Sequence, residues 1–294
     1  MAGSAPVEKL FTSTRPGRAV AERFVAGDTL ESAVSVAHRL NDAGFLVSLD
    51  LLGEEVTDAD SATKALNEYL ECLDRIESDG LEANISIKPT QLGLAIDENL
   101  ASASITRLGQ RAAAAGTTVT IDMEDSRYTE ATVRLFEQGQ TATGNFGVAL
   151  QAYLHRTPGD LARLAPRGGH IRLCKGAYVE PEEVALTSRK AVDAAFSEQL
   201  RVLMAQEGVK PAIATHDTAQ LELARELAKG RRAPFEFQML YGVRPELQRQ
   251  LVAEGHPLRV YLPFGSQWYP YLTRRLGERP ANFWFFARAL FSGS

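Results

Sequence analysis

Short apolar runs alternate with longer amphipathic segments along most of the chain. The runs are rich in Val, Ile and Leu, as is typical of buried parallel strands, and the segments between them carry apolar residues at helical spacing. The pattern therefore predicts eight strands: VSLDLL (47–52), NISIKP (84–89), TVTIDM (118–123), GVALQAYL (147–154), HIRLCKG (170–176), PAIATHD (211–217), FEFQMLYG (235–242) and LRVYLPFG (258–265).

Eight strand and helix units at this spacing predict an α/β fold, a (β/α)8 or TIM barrel. Two of the helices are predicted over 59–80 and 182–208, and an extra helix over 28–44 precedes the first strand. We expect one catalytic barrel domain over residues 1–294, with 1–15 as a loose arm. A doubly wound open sheet is the alternative, but the sequence contains neither GxGxxG nor GxxxxGK[ST].

Composition and charge exclude several classes of protein. A hydrophobic share of 45% and a charged share of 23% are those of a folded globular chain. The net charge of -5 gives no general attraction to phosphate backbones, so no nucleic-acid partner is expected. No apolar run approaches the roughly 20 residues of a membrane span, and the N-terminus lacks the apolar centre of a secretory signal. These features predict a cytoplasmic protein.

Charged side chains stand at the predicted strand ends, where barrel enzymes place their active sites. Lys88 and Lys175 each end an apolar strand, where a charge is costly unless it is paired or bound to an anion. Asp122, on the strand after that of Lys88, is the natural partner for Lys88. Three interpretations stay open for the lysines: a structural ion pair, an anion site and a Schiff-base nucleophile.

The histidines do not indicate a metal site. They occur at 38, 155, 170, 216 and 256, in neither an HExxH pattern nor a cluster of strand ends. We expect no catalytic metal.

Two adjacent arginines lie among aromatic residues near the C-terminus, in YLPFGSQWYPYLTRRLGERPANFWFF. Tyr271, Arg274, Arg275 and Glu278 have the spacing of one helical face. Two guanidinium groups together with Lys88 would fix a carboxylate. The alternative is a solvated helix face on which Arg274 pairs with Glu278.

Taken together, the motifs resemble one family. LDLLGEE, SIKPTQLGL, IDMED, LQAYL, IRLCKGAYVEP, THD, EFQMLYG and the arginine segment occur in the order found in the proline dehydrogenase family, in its monofunctional bacterial form. The resemblance runs from about Arg23 to Phe291.

The resemblance implies a distorted (β/α)8 barrel with a C-terminal helix over the active site. It implies oxidation of L-proline to Δ1-pyrroline-5-carboxylate, by hydride transfer from proline C5 to N5 of a non-covalent FAD, as the first step of proline degradation to glutamate. A membrane quinone would accept the electrons, with peripheral attachment at the inner face of the membrane as one arrangement. The chain has no room for an aldehyde dehydrogenase half, so a separate Δ1-pyrroline-5-carboxylate dehydrogenase would act downstream.

The resemblance also assigns roles to individual residues. The catalytic pair would be Asp122 and Arg172, with Asp122 holding Lys88, and Glu54 would form a gate with one of the arginines. The proline site would comprise Lys88, Tyr261, Tyr271, Arg274, Arg275 and Leu240. The FAD contacts would be Met123, Gln151, Arg172, Lys175, Gly176, Ala177, Thr215 and His216.

One departure and two rival functions remain. Pro89 follows Lys88 where the family leads us to expect an aliphatic residue such as Leu. The residues alone also allow a Schiff-base lyase or aldolase that uses Lys88 or Lys175, and a carboxylate-binding scaffold without turnover.

Overall fold

Eight parallel strands close into a barrel within residues 22–277, the part of the chain that the computed structural model describes, with side chains described as far as residue 272. Each strand pairs with the next along the chain, and the eighth pairs with the first in the register Leu46↔Arg259 to Leu51↔Phe264. The strands are β1 (Leu46–Leu51), β2 (Ala83–Ile87), β3 (Val119–Ile121), β4 (Phe146–Gln151), β5 (His170–Cys174), β6 (Lys210–Ala214), β7 (Glu236–Leu240) and β8 (Leu258–Phe264).

Helices on the outside of the barrel cover the apolar sides of the strands. Polar caps start several of them: Thr29 forms a capping box with Ser32, and Asp58 accepts a hydrogen bond from the Ser61 N–H at 2.8 Å. The described helices are α1 (Leu30–Asp42), α2 (Ala59–Ser78), α3 (Glu98–Ala114), α4 (Thr129–Thr143), α5 (Thr157–Leu164), α6 (Arg189–Met204), α7 (Thr218–Ala228), α8 (Pro245–Ala253) and α9 (Trp268–Gly277). None of these helices is both long enough and apolar enough to span a bilayer.

The predicted barrel is confirmed, and each predicted strand has its counterpart. One helix boundary is wrong: the helix predicted over 182–208 begins at Arg189, after the capping residue Ser188. The preceding residues pair with the chain after β4, where the Leu186 N–H donates to the Tyr153 carbonyl at 2.8 Å. The predicted arm over residues 1–15 lies outside the described residues.

Many of the side chains that face the interior of the barrel are polar, at both of its ends. Hydrogen bonds join side chains on strands that are not neighbours, as between Arg172 on β5 and Ser86 on β2 at 2.9 Å. Barrels of this class commonly fill this space with layers of Val, Ile and Leu. Here the apolar strand residues, such as Val47 and Leu49, belong to the core formed with the outer helices. The interior is therefore held by specific polar pairs.

His170 is one of these interior groups. Its Nε2 lies 2.7 Å from the Thr120 hydroxyl, and its lateral partner on β4 is Gly147. A Cβ at Gly147 would lie 2.1 Å from the His170 ring. The glycine thus makes room for a buried imidazole.

We expect His170 to make the fold sensitive to acid. Burial lowers the pKa of His170 from 6.5 to about 3, so the folded protein keeps the ring neutral while the unfolded chain binds a proton below about pH 6.5. This contribution to stability is complete above pH 6.5 and is lost as the pH falls toward 3, amounting to about 2 kcal/mol by pH 5. Urea unfolding at pH 7 and pH 5 measures this loss of unfolding free energy. The loss should be smaller in His170→Asn than in the wild type, and an equal loss in both would show that His170 is not its source.

A second, smaller apolar cluster lies at the carboxyl end of the barrel, and we call it the mouth cluster. It joins the first described residues of the chain to α9. The Ala26 N–H donates to the Pro263 carbonyl at 2.8 Å, which fixes the early segment against β8. The members of the mouth cluster are Phe24, Val25, Leu52, Trp268, Tyr269, Tyr271 and Leu272.

Candidate active site

A cavity of about 850 Å³ opens at the carboxyl ends of the strands, below the mouth cluster. This volume is in the range of sites for cofactors and small ligands. All the predicted site residues whose side chains are described line it. They are Glu54, Lys88, Asp122, Met123, Gln151, Arg172, Lys175, Gly176, Ala177, Thr215, His216, Leu240, Tyr261 and Tyr271.

Three charged side chains at the carboxyl ends of β1, β2 and β3 meet at the floor of the cavity. Lys88 Nζ lies 2.5 Å from Asp50 Oδ1 and 4.0 Å from Asp122 Oδ2. Asp122 is thus within ion-pair range of Lys88, as expected, but Asp50 is the closer partner. All three residues are buried, so the lysine cation separates two carboxylates that would otherwise repel each other.

Burial and the neighbouring charges set the protonation of this group. Burial, together with the nearby Asp122 carboxylate, raises the pKa of Asp50 to about 6 against the opposing effect of Lys88. Burial alone would lower the pKa of Lys88, but the Asp50 and Asp122 carboxylates outweigh it and raise the pKa. A permanently protonated amine is not a nucleophile, which argues against Lys88 as a Schiff-base residue.

The chain makes a tight turn directly after Lys88. Pro89 occupies the first position of a 3-10 turn, Pro89–Leu92, where its fixed φ and missing N–H are tolerated. This turn places Thr90 next to the loop after β3, where Thr90 donates to Glu124. The unexpected proline therefore fits the backbone beside Lys88.

Arg172 of β5 is held on three sides. Its Nε donates to Gln238 Oε1 at 2.5 Å, its Nη2 donates to Ser86 Oγ at 2.9 Å, and its Nη1 donates to Asp122 Oδ1. The Tyr261 ring lies 5.1 Å from the guanidinium carbon, and the Tyr261 hydroxyl donates to Asp122 Oδ2 at 2.7 Å. A guanidinium has five N–H groups, so two have no acceptor among the described residues, and Arg172 lines the cavity.

The loop after β3 connects this floor to β4. Glu124 accepts from the Thr90 N–H at 2.9 Å and from the Thr90 hydroxyl at 2.5 Å, while its carbonyl accepts from Gln151 Nε2 at 2.8 Å. Gln151 Oε1 in turn accepts from the Ala177 N–H at 3.2 Å. Burial raises the pKa of Glu124 to about 7, against the effect of the Thr90 bonds.

A second part of the cavity is formed by the ends of β5 and β6. Gly176 has φ +129, and a Cβ there would lie 2.4 Å from the Tyr153 ring, so this close approach requires glycine. Lys175 Nζ is bound by Asp217 at 2.6 Å and also by Asp193. His216 Nε2 accepts from the Leu240 N–H at 3.0 Å.

The helix α9 runs beside the cavity. Tyr271 is buried and reaches the cavity wall, and the helical backbone continues past the predicted carboxylate ligands Arg274 and Arg275. The side chains of both arginines, and Glu278, lie outside the described residues. Glu54 lines the same cavity as Lys88, and its predicted role as a gate stays a prediction.

Sequence reasoning did not assign site roles to six further polar residues that line the cavity, namely Asp50, Glu124, Tyr178, Arg189, Asp217 and Gln238. Within residues 22–277, no three His, Cys, Asp or Glu side chains come together as a metal site would require.

A deep cavity at the carboxyl end of a (β/α)8 barrel, lined by a lysine and an arginine that buried carboxylates hold in place, lies where enzymes of the barrel class have their active sites. Comparison with known proteins identifies the family within this class. The family model for proline dehydrogenase matches residues 33–288. The chain therefore belongs to the proline dehydrogenase family, and the oxidoreductase class predicted from its motifs is confirmed.

Individual relatives agree with this assignment. Proline dehydrogenase 1 of Bacillus subtilis (strain 168) is 37% identical over 275 residues, which cover 92% of this chain and 91% of that protein. Proline dehydrogenase of Deinococcus radiodurans is 36% identical over 285 residues, covering 93% of this chain and 91% of that protein.

A solved structure shares the fold. The crystal structure of proline utilization A from Bdellovibrio bacteriovorus, inactivated by N-propargylglycine, superimposes with a TM-score of 0.82 at 23% identity. The match covers 88% of this chain and 32% of that longer chain. At this identity the comparison supports the barrel alone.

Proposed function

We propose that the protein oxidises L-proline to Δ1-pyrroline-5-carboxylate with a non-covalently bound FAD. Family membership supports the substrate, and one observation in the site carries the chemistry: Arg172 is locked by three acceptors while it faces the cavity. Such a pre-organised cation stabilises negative charge that develops on a neighbouring group without having to reorganise.

The cavity residues fit a flavin cofactor. The cavity of about 850 Å³ is large enough for a dinucleotide, and the glycine backbone at Gly176 permits close approach. Lys175 and Arg189 line the cavity and share the carboxylate of Asp193, and their remaining N–H groups would donate to a diphosphate. Gln151, Thr215 and His216 would hold the cofactor with them. When bound, FAD supplies a hydride acceptor.

The remaining part of the cavity fits proline. The ammonium of Lys88 would bind the carboxylate, together with Arg274 and Arg275 of α9. Leu240, Tyr261 and Tyr271 would form the walls around the five-membered ring. With the carboxylate fixed by cations, these walls determine which ring carbon faces the cofactor. Burial and the Asp122 carboxylate raise the pKa of Tyr261, so its hydroxyl stays protonated and keeps Asp122 in place.

The absorbance spectrum of the purified protein tests this function. We expect bound flavin absorbance that bleaches when L-proline is added without oxygen. Protein that has been loaded with FAD and keeps its absorbance with L-proline would refute the proposal. Neither rival function predicts bleaching, since a Schiff-base lyase and a binding scaffold transfer no electrons.

Replacing either arginine of α9 should weaken proline binding. We expect Arg274→Ala and Arg275→Ala each to raise KM for proline far more than they change FAD content, at a cost of about 2 to 4 kcal/mol in kcat/KM. Steady-state kinetics with an artificial electron acceptor measure this. Arg201→Ala, on the outer helix α6, is the matched control and should leave KM unchanged; unchanged KM in the α9 variants would contradict the carboxylate site.

We further propose that a membrane quinone reoxidises the flavin and that a separate dehydrogenase consumes the product. The protein would then act in the cytoplasm at the inner face of the membrane. Co-sedimentation of the full chain with liposomes tests the membrane contact, and recovery of all the protein in the supernatant would argue against it.

A further inference from the structure

A chain of hydrogen bonds runs down the inside of the barrel from the cavity to the opposite end. Arg172 donates to Gln238 Oε1 at 2.5 Å, and Gln238 Nε2 donates to Glu236 Oε1 at 2.7 Å. Glu236 and Gln238 are two apart on β7, so both side chains project into the barrel. All three residues are buried.

Glu236 is anchored at the amino end of the barrel. Arg259 Nε donates to its Oε1 at 2.7 Å, and Lys210 Nζ donates to its Oε2 at 2.6 Å. Burial alone would raise the pKa of Glu236, but Arg259 and Lys210 outweigh it and hold the pKa well below its usual range. Glu236 is therefore a carboxylate that can only accept hydrogen bonds.

The direction of each bond in this chain is forced by chemistry. A guanidinium can only donate, and an ionised carboxylate can only accept. The amide of Gln238 lies between them and satisfies both in one orientation only, with its NH2 toward Glu236 and its oxygen toward Arg172. A rotated amide would direct N–H groups at Arg172 and its oxygen at the Glu236 carboxylate.

We propose that Glu236 is a positioning residue for the oxidation, acting through the amide of Gln238 to fix Arg172 at the cavity floor. The inference rests on the proposed function, because it assigns Arg172 to the flavin. Without the acceptor at Glu236, only Arg172 still favours this orientation of the Gln238 amide, and an amide that turns takes the acceptor away from Arg172 Nε. The consequence is a weaker stabilisation of the charge that the flavin gains on reduction.

Three variants test the proposal. Glu236→Met removes the acceptor, Gln238→Met removes the amide, and Glu236→Gln removes the charge but keeps an oxygen that can accept from Gln238. Its NH2 group then replaces Oε2, which accepts from Lys210 at 2.6 Å and from Arg259 Nη2 at 3.3 Å. The Lys210 side chain is 37% exposed and can turn to solvent, and Arg259 keeps its bonds to Oε1 and to the Val47 carbonyl. If Glu236→Met does not fold, Glu236→Ser replaces it, because the recess of about 430 Å³ beside Glu236 and Arg259 leaves room for water.

The expected reduction rates distinguish an effect of the Gln238 amide orientation from an effect of the Glu236 charge. Glu236→Met and Gln238→Met should each lower the rate of flavin reduction by L-proline about tenfold, with KM for proline within about twofold of wild type. Both should shift the flavin midpoint potential to more negative values. The double variant should be no slower than either single variant, because each breaks the same chain of bonds. Glu236→Gln should stay within about twofold of wild type in rate.

Several results would overturn the proposal. If both Met variants have the wild-type rate of flavin reduction and the wild-type midpoint potential, then Glu236 is a purely structural residue, whatever the thermal stability of the variants. A Glu236→Gln variant as slow as Glu236→Met would assign the effect to charge. A crystal structure of Glu236→Met that retains the bond between Arg172 Nε and Gln238 Oε1 would also refute it, independently of turnover. If wild-type protein loaded with FAD is not reduced by proline, the proposed function fails instead, and the crystal structure still decides whether Glu236 positions Arg172.

Discussion

Arg172→Lys is expected to lower the rate of flavin reduction by L-proline by about 10² to 10³, the cost of losing one pre-organised donor at a reacting centre. A lysine carries a single point of charge on a flexible stem, so it cannot bond Gln238, Ser86 and Asp122 together and still direct N–H groups into the cavity. Anaerobic stopped-flow measurements at saturating proline give the rate, and the ratio of flavin to protein absorbance gives the FAD content.

A matched control for Arg172→Lys is available on the outer surface. Arg111 also makes two side-chain ion pairs, with Asp74 at 2.7 Å and with Glu77 at 2.6 Å, but it lies on the outside of the barrel. Arg111→Lys should therefore leave the rate unchanged. Reduction of the Arg172→Lys enzyme within about threefold of wild type would show that the interior arginine does not act on the reaction.

Lys88→Met should cost about 3 to 5 kcal/mol of unfolding free energy, the usual result of removing one member of a buried ion pair. The substitution leaves Asp50 and Asp122 buried without the cation that lies between them. We expect the loss to grow with pH, because the folded-state pKa of Asp50 is already raised to about 6 and rises further without Lys88. At low pH Asp50 binds a proton, so that the folded variant no longer buries an unpaired negative charge there. Urea unfolding at pH 5 and pH 8 measures both effects.

The double variant Lys88→Met/Asp50→Asn tests the cause of that loss. Replacing the carboxylate by an amide removes one of the two like charges, so the double variant should recover part of the stability at pH 8. Its activity should stay low, because the ammonium that we assign to the substrate carboxylate is still missing. A Lys88→Met variant that unfolds at the wild-type urea concentration would contradict the ion-pair description.

Most of the barrel could be predicted because its signals are local. Each strand is a short apolar run bounded by turn residues, and the predicted strands differ from those of the structure by only a few residues at either end. The error at residue 182 has a tertiary cause. Leu154 and Ala185 form an isolated bridge between two loops, and this pairing removes residues 182–188 from a helix that their periodicity alone would favour.

The residues that line the site could be predicted better than the ion pairs that they form with one another. The polar residues at strand ends line one cavity, as barrel geometry requires. The sequence placed Asp122 beside Lys88 because the strands of these two residues are adjacent, yet Asp50 on the other side of β2 is closer. Which of two flanking carboxylates approaches a lysine depends on strand stagger, which periodicity does not encode.

One signal of the interior network was visible in the sequence and was not used. Glu236 and Gln238 alternate with apolar residues in EFQML, as do Asn84, Ser86 and Lys88 in ANISIK. Polar residues at every second position of a strand that is covered by helices can only face the barrel axis. That pattern predicts a polar interior, although the partners across the barrel still require the closed structure.

The last strand of the barrel meets the first only when most of the chain has been made. β8 pairs with β1, and Phe24 and Trp268, from the two ends of the described chain, belong to the same mouth cluster. At about 5 to 20 residues per second on the ribosome, the open edge of β1 waits on the order of ten seconds or more for β8. During synthesis the nascent chain therefore exposes a strand edge, and the cavity at the carboxyl end of the barrel is incomplete until β8 is in place. Slower growth and added chaperones should raise the yield of folded protein.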